Sequence, residues 1–225
     1  MTSKQVLVGF VLAAAAAGAQ ADTVLSESFN DVAGLTASGW VQVNRSTAPL
    51  GTAWFQGNSG IFAAASGAAD AYVAANFLGT ANTSGAVSNW LLTPVLTLDS
   101  SSTLSFLVRT AGDGFLDRVE VRFSGNGASS DVGTTTTSVG DFTGLLGSFQ
   151  ASSSTGWVGL SYSLFGLDAP TTGRLAFRYV VANVANAGNY IGIDDVAVTA
   201  VPEPATYGLM GLGVAALLLR RRFTA

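Results

Sequence analysis

Apolar and polar residues alternate along most of this chain, in short runs separated by glycine, serine, threonine, asparagine and aspartate. A period of two places successive side chains on opposite faces of a β-strand, whereas a helix needs apolar residues three and four positions apart. Clear examples are residues 118–123 and 174–179, where apolar and charged residues alternate. No convincing amphipathic helix lies between Asp22 and Val201. The pattern therefore predicts an all-β domain of half-buried antiparallel strands.

The other predicted strands have similar lengths and are separated by turn-forming residues. They cover residues 24–29, 40–44, 71–77, 90–98, 104–110, 156–164 and 190–199. About nine to eleven such strands suit a sandwich of two antiparallel sheets. Pro94 cannot donate a ladder hydrogen bond, so we expect a bend there, where the strand passes from one sheet to the other. Residues 128–139 are consistent with either a surface loop or a polar edge strand.

The first residues have the pattern of an export signal. A lysine precedes an apolar segment, residues 6–17, and the small residues Ala19 and Ala21 have the spacing that a signal peptidase requires. We therefore expect a signal peptide over residues 1–21 and cleavage before Asp22.

Residues 201–225 contain three parts in a fixed order. The Pro202-Glu203-Pro204 triplet comes first, an uncharged run of 15 residues, 205–219, follows, and Arg220-Arg221-Arg222 lie near the end. As a helix the run would rise about 22 Å, less than the roughly 30 Å of a hydrocarbon core. The arginines would stay on the cytoplasmic side, and the prolines would keep the segment before the helix extended. The arrangement predicts a single hydrophobic helix with the domain outside the membrane.

These three parts resemble the PEP-CTERM sorting signal of Gram-negative bacteria. The resemblance implies that an exosortase-type protease cuts near Pro202, Glu203 and Pro204. It also implies a precursor that is tethered to the membrane transiently and a mature protein at the cell surface or in an exopolysaccharide matrix. An ordinary tail anchor that is never cut is the alternative.

Composition limits what the remaining residues, 22–200, can do. They suffice for one domain and contain thirteen acidic residues, six arginines and no lysine, a net charge of −7. That charge argues against a nucleic-acid partner. The chain has no cysteine and no histidine, which excludes disulfides, a histidine-dependent catalytic triad and a histidine-ligated zinc centre.

Several segments of this domain match a family in order along the chain. They are SESFN at 26–30, GW at 39–40, SNWLLTP at 88–94, LAFRY at 175–179 and YIGIDDV at 190–196. Together they resemble the choice-of-anchor J domain, which is similar to the cleaved-adhesin and MAM-type jelly rolls. The resemblance implies a jelly roll that belongs to a surface protein.

The pair Asp194-Asp195 is the sharpest polar feature of the domain. If Ile191 and Ile193 face the core, Asp195 faces it as well unless a bulge intervenes. A buried carboxylate needs a partner. An ion pair with Arg178 and hydrogen bonds from backbone N–H groups are two alternatives.

A structural calcium ion is the third alternative. The resembled adhesin jelly rolls hold calcium between an acid on the first strand and an acid near the last strand. The resemblance implies Glu27 and Asn30 at the first position and Asp194 or Asp195 at the second. Calcium accepts oxygen ligands and needs neither histidine nor cysteine.

The other carboxylates give weak evidence for catalysis. Glu120 lies between Arg118 and Arg122, where we expect a solvated row of ion pairs. Asp113 and Asp117 flank Gly114 in a loop, and we expect them to solvate a hairpin, with metal ligation as the alternative. The tryptophans are expected to anchor the core rather than to stack on sugars: Trp40, Trp54, Trp90 and Trp157.

We therefore expect a non-catalytic surface or matrix protein with a structural or adhesive module, whose partner is exopolysaccharide or another surface protein. A carbohydrate-binding module for exopolysaccharide is the alternative, and a hydrolase that uses only Asp or Glu is less favoured.

Overall fold

The computed structural model describes residues 21–51, 53–153, 156–164 and 166–200, together with Gly213. Residues Ala21–Val201 form a compact unit. The strands in chain order are β1 Asp22–Glu27, β2 Val41–Asn44, β3 Phe55–Gln56, β4 Val73–Asn76, β5 Val87–Leu92, β6 Leu96–Leu98, β7 Ser102–Thr110, β8 Asp117–Ser124, β9 Gly144–Ala151, β10 Val158–Ser163, β11 Thr171–Val181 and β12 Tyr190–Ala200. Two short 3₁₀ helices, Val32–Thr36 and Phe77–Gly79, are the helical elements of this described unit.

The strands form two antiparallel sheets of six strands each. The first sheet has the order β10-β7-β12-β4-β3, and β1 pairs with the C-terminal half of β12. The second sheet has the order β2-β5-β11-β8-β9, and β6 pairs with the N-terminal end of β11. The predicted all-β class and the two antiparallel sheets are confirmed.

Two features of the second sheet differ from the prediction. The predicted strand 90–98 breaks at Thr93-Pro94-Val95, but β5 and β6 both pair with β11, so the strand does not change sheets. Pro94 interrupts the hydrogen bonds between β5 and β11, and the chain then pairs with β11 again as β6. Strand β9 was missed because its apolar residues do not alternate regularly, and its pairing with β8 contains a register shift. The two-residue strand β3 of the first sheet was missed as well.

The main core lies between the sheets, where burial of apolar surface drives folding. Its aromatic residues include Phe106 and Phe177, whose rings meet edge to face with centroids 5.0 Å apart. Trp40 and Trp54 are fully buried in this core, as predicted for core anchors, whereas Trp90 is fully buried on the outer face of the second sheet. Trp157 is half-buried.

Both sheets are also covered on their outer faces. Residues 57–72, the first cover, place Phe62 and Tyr72 against Tyr190 of the first sheet. Residues 125–143, the second cover, pack Val132 and Phe142 on the second sheet. The interpretation of 128–139 as a loop is right and the edge strand is wrong, but the loop packs on the sheet instead of lying free at the surface. Each cover hides polar side chains that the sequence pattern placed on an outer face.

Candidate functional site

A row of three side chains crosses the outer face of the second sheet. Trp90 on β5, Arg178 on β11 and Glu120 on β8 are direct partners in the strand register. Their neighbours along the strands face the core, so these three side chains point outward, toward the second cover. The fold thereby joins residues that are far apart in the sequence.

Glu120 accepts contacts from three arginines. Its Oε1 lies 3.0 Å from Nη2 of Arg118, and its Oε2 lies 2.8 Å from Nε of Arg122 and 3.2 Å from Nη1 of Arg178. Glu120 is only 6% exposed. The predicted ion pairs with Arg118 and Arg122 are present, but the prediction that Glu120 is solvated is wrong.

The arginines also determine how Glu120 titrates. Burial alone would raise the pKa of this carboxyl group, but the hydrogen bond from Arg122 and the three guanidinium charges outweigh burial. The pKa of Glu120 is therefore lowered from its ordinary value of 4.5. Glu120 is a fixed negative charge at neutral pH.

Arg178 connects this network to the tryptophan and to the second cover. Its guanidinium carbon lies 4.9 Å from the centroid of the Trp90 ring, and its Nε donates to Ser88 Oγ at 3.0 Å. Its Nη2 donates to the carbonyl of Thr136 in the second cover. The residue is 4% exposed, so its charge is held in one place.

A groove of about 680 Å³ opens beside this network. Arg118, Glu120, Arg122 and Arg178 line it, with Thr136 and Thr137 of the second cover as one wall. Three positive charges face one negative charge, which leaves a net charge of +2.

Asp194 is the corresponding buried carboxylate on the first sheet. It is fully buried, and it accepts hydrogen bonds from the backbone N–H groups of Ala65 at 2.9 Å, Ser66 at 3.3 Å and Asp195 at 2.7 Å. Burial is the largest influence and raises its pKa above the ordinary 3.8, although the backbone donors oppose the rise. Asp194 therefore fastens the first cover to the sheet.

A bulge decides which of the two aspartates is buried. The register of β12 shifts between Asp194 and Ala197, and Asp195 has a φ of 48°, in the left-handed region. Asp195 is consequently half-buried, and its Oδ1 accepts a hydrogen bond from Ser66 Oγ at 2.8 Å. The ion pair with Arg178 is wrong, because Arg178 lies on the other sheet and contacts Glu120. Backbone donors hold Asp194, not Asp195.

The other proposed calcium ligands lie near the bulge in the middle of β12. Glu27 is in register with Val196, and its Oε1 accepts the Phe29 N–H at 2.8 Å. Asn30 donates to Ser28 Oγ at 2.9 Å, and its Oδ1 would lie 3.3 Å from a Cβ placed on Gly67.

These contacts test how well the four residues fit a calcium ion. Asp194 is unsuited, because three N–H groups already occupy its oxygens. Asp195, Glu27 and Asn30 each keep an oxygen to which no described residue donates, and hard oxygen atoms suit calcium. The described residues contain no group of three His, Cys, Asp or Glu side chains placed to hold a metal ion. The calcium site therefore stays a prediction.

Asp117 is not the solvated hairpin residue that the sequence suggested. It is fully buried, and its Oδ1 accepts the Tyr179 hydroxyl at 2.6 Å and the Asn189 N–H at 2.8 Å. Burial, the largest influence, raises its pKa. Asp113 accepts a hydrogen bond from the Asn189 side chain, so both acids tie the start of β8 to the loop before β12.

Most of the predicted processing residues lie outside the described residues. These are Ala19, Pro202, Glu203, Pro204, Arg220, Arg221 and Arg222, together with the predicted signal peptide and the predicted hydrophobic helix apart from Gly213. Ala21 is exposed, directly before β1. In the described part of the chain, no helix has the length and apolar character needed to cross a membrane.

Comparison with known proteins identifies the C-terminal segment. Residues 200–222 match the PEP-CTERM protein-sorting motif. The predicted sorting signal is therefore confirmed as a motif, one that is typical of exported precursors processed for surface display. No curated protein matches the chain.

Solved structures with the same fold include three adhesin domains of Lys-gingipain. The K3 cleaved adhesin domain from Porphyromonas gingivalis is 23% identical, with a TM-score of 0.52 over 80% of this chain and 99% of that domain. The K1 domain is 22% identical, with a TM-score of 0.54 over 78% and 97%. The K2 domain is 19% identical, with a TM-score of 0.51 over 77% and 96%. These matches show a shared fold, as the cleaved-adhesin resemblance implied. The choice-of-anchor J assignment stays a prediction.

Proposed function

We propose that this chain is a non-catalytic, exported surface or matrix protein whose sandwich is a structural or adhesive module. The observation that carries the proposal is the sorting motif at residues 200–222, which begins at the last residue of β12. Strand β12 ends at Ala200, so a cut near Pro202 by an exosortase-type protease would leave both sheets complete. The motif and the fold thus suit a module that is released or displayed as a unit.

The state of the buried carboxylates supports a non-catalytic module. A glycosidase needs two carboxyl groups on either side of a bond, one of them protonated at neutral pH. Glu120 is paired with arginines and has a lowered pKa, and Asp194 is held by backbone donors under the first cover. Glu120 is therefore ionised. Asp194 and Asp117 have raised pKa values, but both are fully buried and hydrogen-bonded within the fold, so neither is open to a substrate and a hydrolase remains the less favoured proposal.

The intact mass of the protein recovered from the cell surface tests the processing. We expect a form that begins at Asp22 and ends near Pro202. A surface form that keeps residues 205–225 would contradict exosortase-type processing and would favour a simple tail anchor.

Neutral substitution of Arg220, Arg221 and Arg222 tests the topology of the precursor. The triple variant should lose membrane retention before processing, because the charges that stop transfer are gone. Replacing the same three residues with lysines is the matched control and should preserve retention. Identical fractionation of the neutral variant and the wild type would count against the proposed topology.

Calcium at Asp195, Glu27 and Asn30 is a separate proposal. At a hundredfold excess over its Kd, a bound ion would stabilise the folded state by about 2.7 kcal/mol. Chelation should then lower the melting temperature by about 5 to 10 °C, and Asp195→Asn should remove most of this response. A wild-type melting temperature that changes with neither calcium nor chelator would refute the calcium site.

A further inference from the structure

We propose that the groove beside Glu120 binds carboxylate groups of an acidic polysaccharide. The inference rests on the proposed adhesive role and names the class of partner for it. Three of the six arginines of the domain line this groove against one glutamate, although the domain as a whole carries a net charge of −7. Positive charge is therefore concentrated in one place on an acidic protein.

The arginines still have donors to offer. Arg118 contacts Glu120 through Nη2 alone, and its side chain is 39% exposed. Arg122 uses Nε on Glu120 and Nη1 on the carbonyl of Phe142, and no described residue accepts from its Nη2. A guanidinium group presents its N–H groups as a planar fork that matches the two oxygens of a carboxylate. The groove therefore has directed donors for an anionic group.

Contacts within the protein restrain these donors before any ligand binds. Glu120 contacts all three guanidinium groups, and Arg178 is also held by Ser88 and by the Trp90 ring. Side chains that are already ordered lose less conformational entropy on binding. A preorganised cationic groove is more selective for an anion than a set of mobile surface arginines.

The other lining residues suit a sugar ring. Thr137 and Gln150 can hydrogen-bond to hydroxyl groups, while Leu116, Val180 and Ala182 offer apolar surface to C–H groups. The volume of about 680 Å³ is in the ordinary range for small-molecule sites and can hold a short saccharide segment. A uronic acid combines the carboxylate, hydroxyl and apolar surfaces that this lining would recognise.

The direction of the groove argues for a polysaccharide over an extended acidic peptide. Its lining residues come from β9, β8, β11 and β5, so it crosses strands on a sheet face and does not follow an unpaired strand edge. A peptide that adds to a sheet needs such an edge for its backbone hydrogen bonds. Nucleic acid is disfavoured by the charge of −7 and by a lining without aromatic side chains for stacking.

Titration of the full-length chain in detergent with hexagalacturonate, followed by calorimetry, tests this assignment. We expect saturable binding that weakens with added salt, and no binding of a neutral hexasaccharide of the same linkage. Arg118→Gln should weaken hexagalacturonate binding about tenfold, because a charge-assisted contact is lost. Arg109→Gln is the matched control, since Arg109 lies over Phe62 on the first sheet, and should leave the affinity unchanged within about twofold.

Glu120→Gln should change the affinity for hexagalacturonate in the opposite direction to Arg118→Gln. Glutamine keeps one oxygen that accepts from the guanidinium groups, so removing the one negative charge should tighten hexagalacturonate binding several-fold, which a damaged fold would not produce. Equal affinities of wild type, Arg118→Gln and Glu120→Gln would overturn the site.

Two competing ligands test the ligand class. A sulfated oligosaccharide that binds more tightly than hexagalacturonate would overturn the assignment to carboxylate groups. Polyglutamate that binds as tightly as hexagalacturonate would overturn the assignment to a saccharide. If surface processing is as proposed and hexagalacturonate does not bind, this inference alone fails.

Discussion

The two outer faces of the sandwich each hold one buried carboxylate, and the two titrate in opposite directions. Asp194, on the first sheet, is bound by backbone N–H groups, and its pKa is raised because burial outweighs these neutral donors. Glu120, on the second sheet, is bound by three arginines, and its pKa is lowered because their charges outweigh burial. Because both groups are buried, the charge of the donors decides whether the pKa of the carboxyl group is raised or lowered.

This difference separates a structural contact from a binding surface. Two of the three backbone donors of Asp194 belong to the first cover, where the rings of Phe62 and Tyr72 stack. The donors of Glu120 are long cationic side chains that also line an open groove. A buried ion network rarely adds more stability than well-packed apolar residues would. We therefore interpret the network on the second sheet as a surface organised for a ligand.

The largest expected effect on stability comes from Glu120→Gln. The substitution leaves Arg178, which is 4% exposed, without its counter-charge, and should lower the free energy of unfolding by about 3 kcal/mol. Denaturant unfolding of the full-length chain measures it. Asp168→Asn removes the same charge from an exposed position and should change stability by less than about 0.5 kcal/mol. Equal effects of the two variants would contradict the buried network.

Asp194→Asn should have the next largest effect. An amide has one carbonyl oxygen where the carboxylate has two, so it cannot accept both from Ala65 and Ser66, which share Oδ2, and from Asp195, which uses Oδ1. The lost hydrogen bonds should cost about 2 kcal/mol. The same unfolding experiment measures the loss, with Asp70→Asn as an exposed control in the same cover. Faster hydrogen exchange should appear at Ala65 and Ser66 or, if the amide oxygen keeps those two donors, at Asp195, and unchanged exchange at all three would refute the anchoring role.

The pH dependence of unfolding distinguishes the two carboxylates. The contribution of Asp194, whose folded pKa is raised, is fully present below pH 3.8 and is lost as the pH rises through the folded pKa. The contribution of Glu120, whose folded pKa is lowered, is present above pH 4.5 and is lost as the pH falls through the folded pKa. Asp194→Asn should weaken the first dependence, to which Asp117 with its raised pKa also contributes, and Glu120→Gln should weaken the second. The comparison would be wrong if Asp194→Asn changed the loss of stability at falling pH and Glu120→Gln changed the loss at rising pH.

Arg118→Gln should have the smallest effect on stability. Its side chain is 39% exposed, and solvent screens its single contact with Glu120, so the loss should be below about 1 kcal/mol. The same unfolding curves provide the measurement. A loss as large as that of Glu120→Gln would show that Arg118 supports the fold and would weaken its assignment to ligand binding.

Alternation along the sequence was sufficient to predict the fold class and most strands. It also placed Arg118, Glu120 and Arg122 on one face of a strand, as the structure does. Alternation could not predict that Arg178 contacts Glu120, because that pairing depends on the register between β11 and β8. Nor could it show that the second cover folds onto this face, since residues 125–143 contain few apolar positions and no regular period.

The aspartate pair shows a second limit of the sequence pattern. Strict alternation from Ile191 and Ile193 made Asp195 the buried residue, whereas the bulge at Asp195 leaves Asp194 buried on the outer face and restores Val196 to the core. One inserted residue changes the face of every residue after it. A bulge of this kind depends on partners elsewhere in the chain, here the N–H groups of Ala65 and Ser66.

The central claim is that the outer face of the second sheet, and not the outer face of the first sheet, binds a ligand. Its most direct test is nuclear magnetic resonance of the arginine Nε–H groups during titration with hexagalacturonate. We predict that the signals of Arg118 and Arg122 shift with saturation, while the signal of Arg109 on the first sheet stays in place. A shift of Arg109 alone, or equal and unsaturated shifts of all the arginines, would contradict the account.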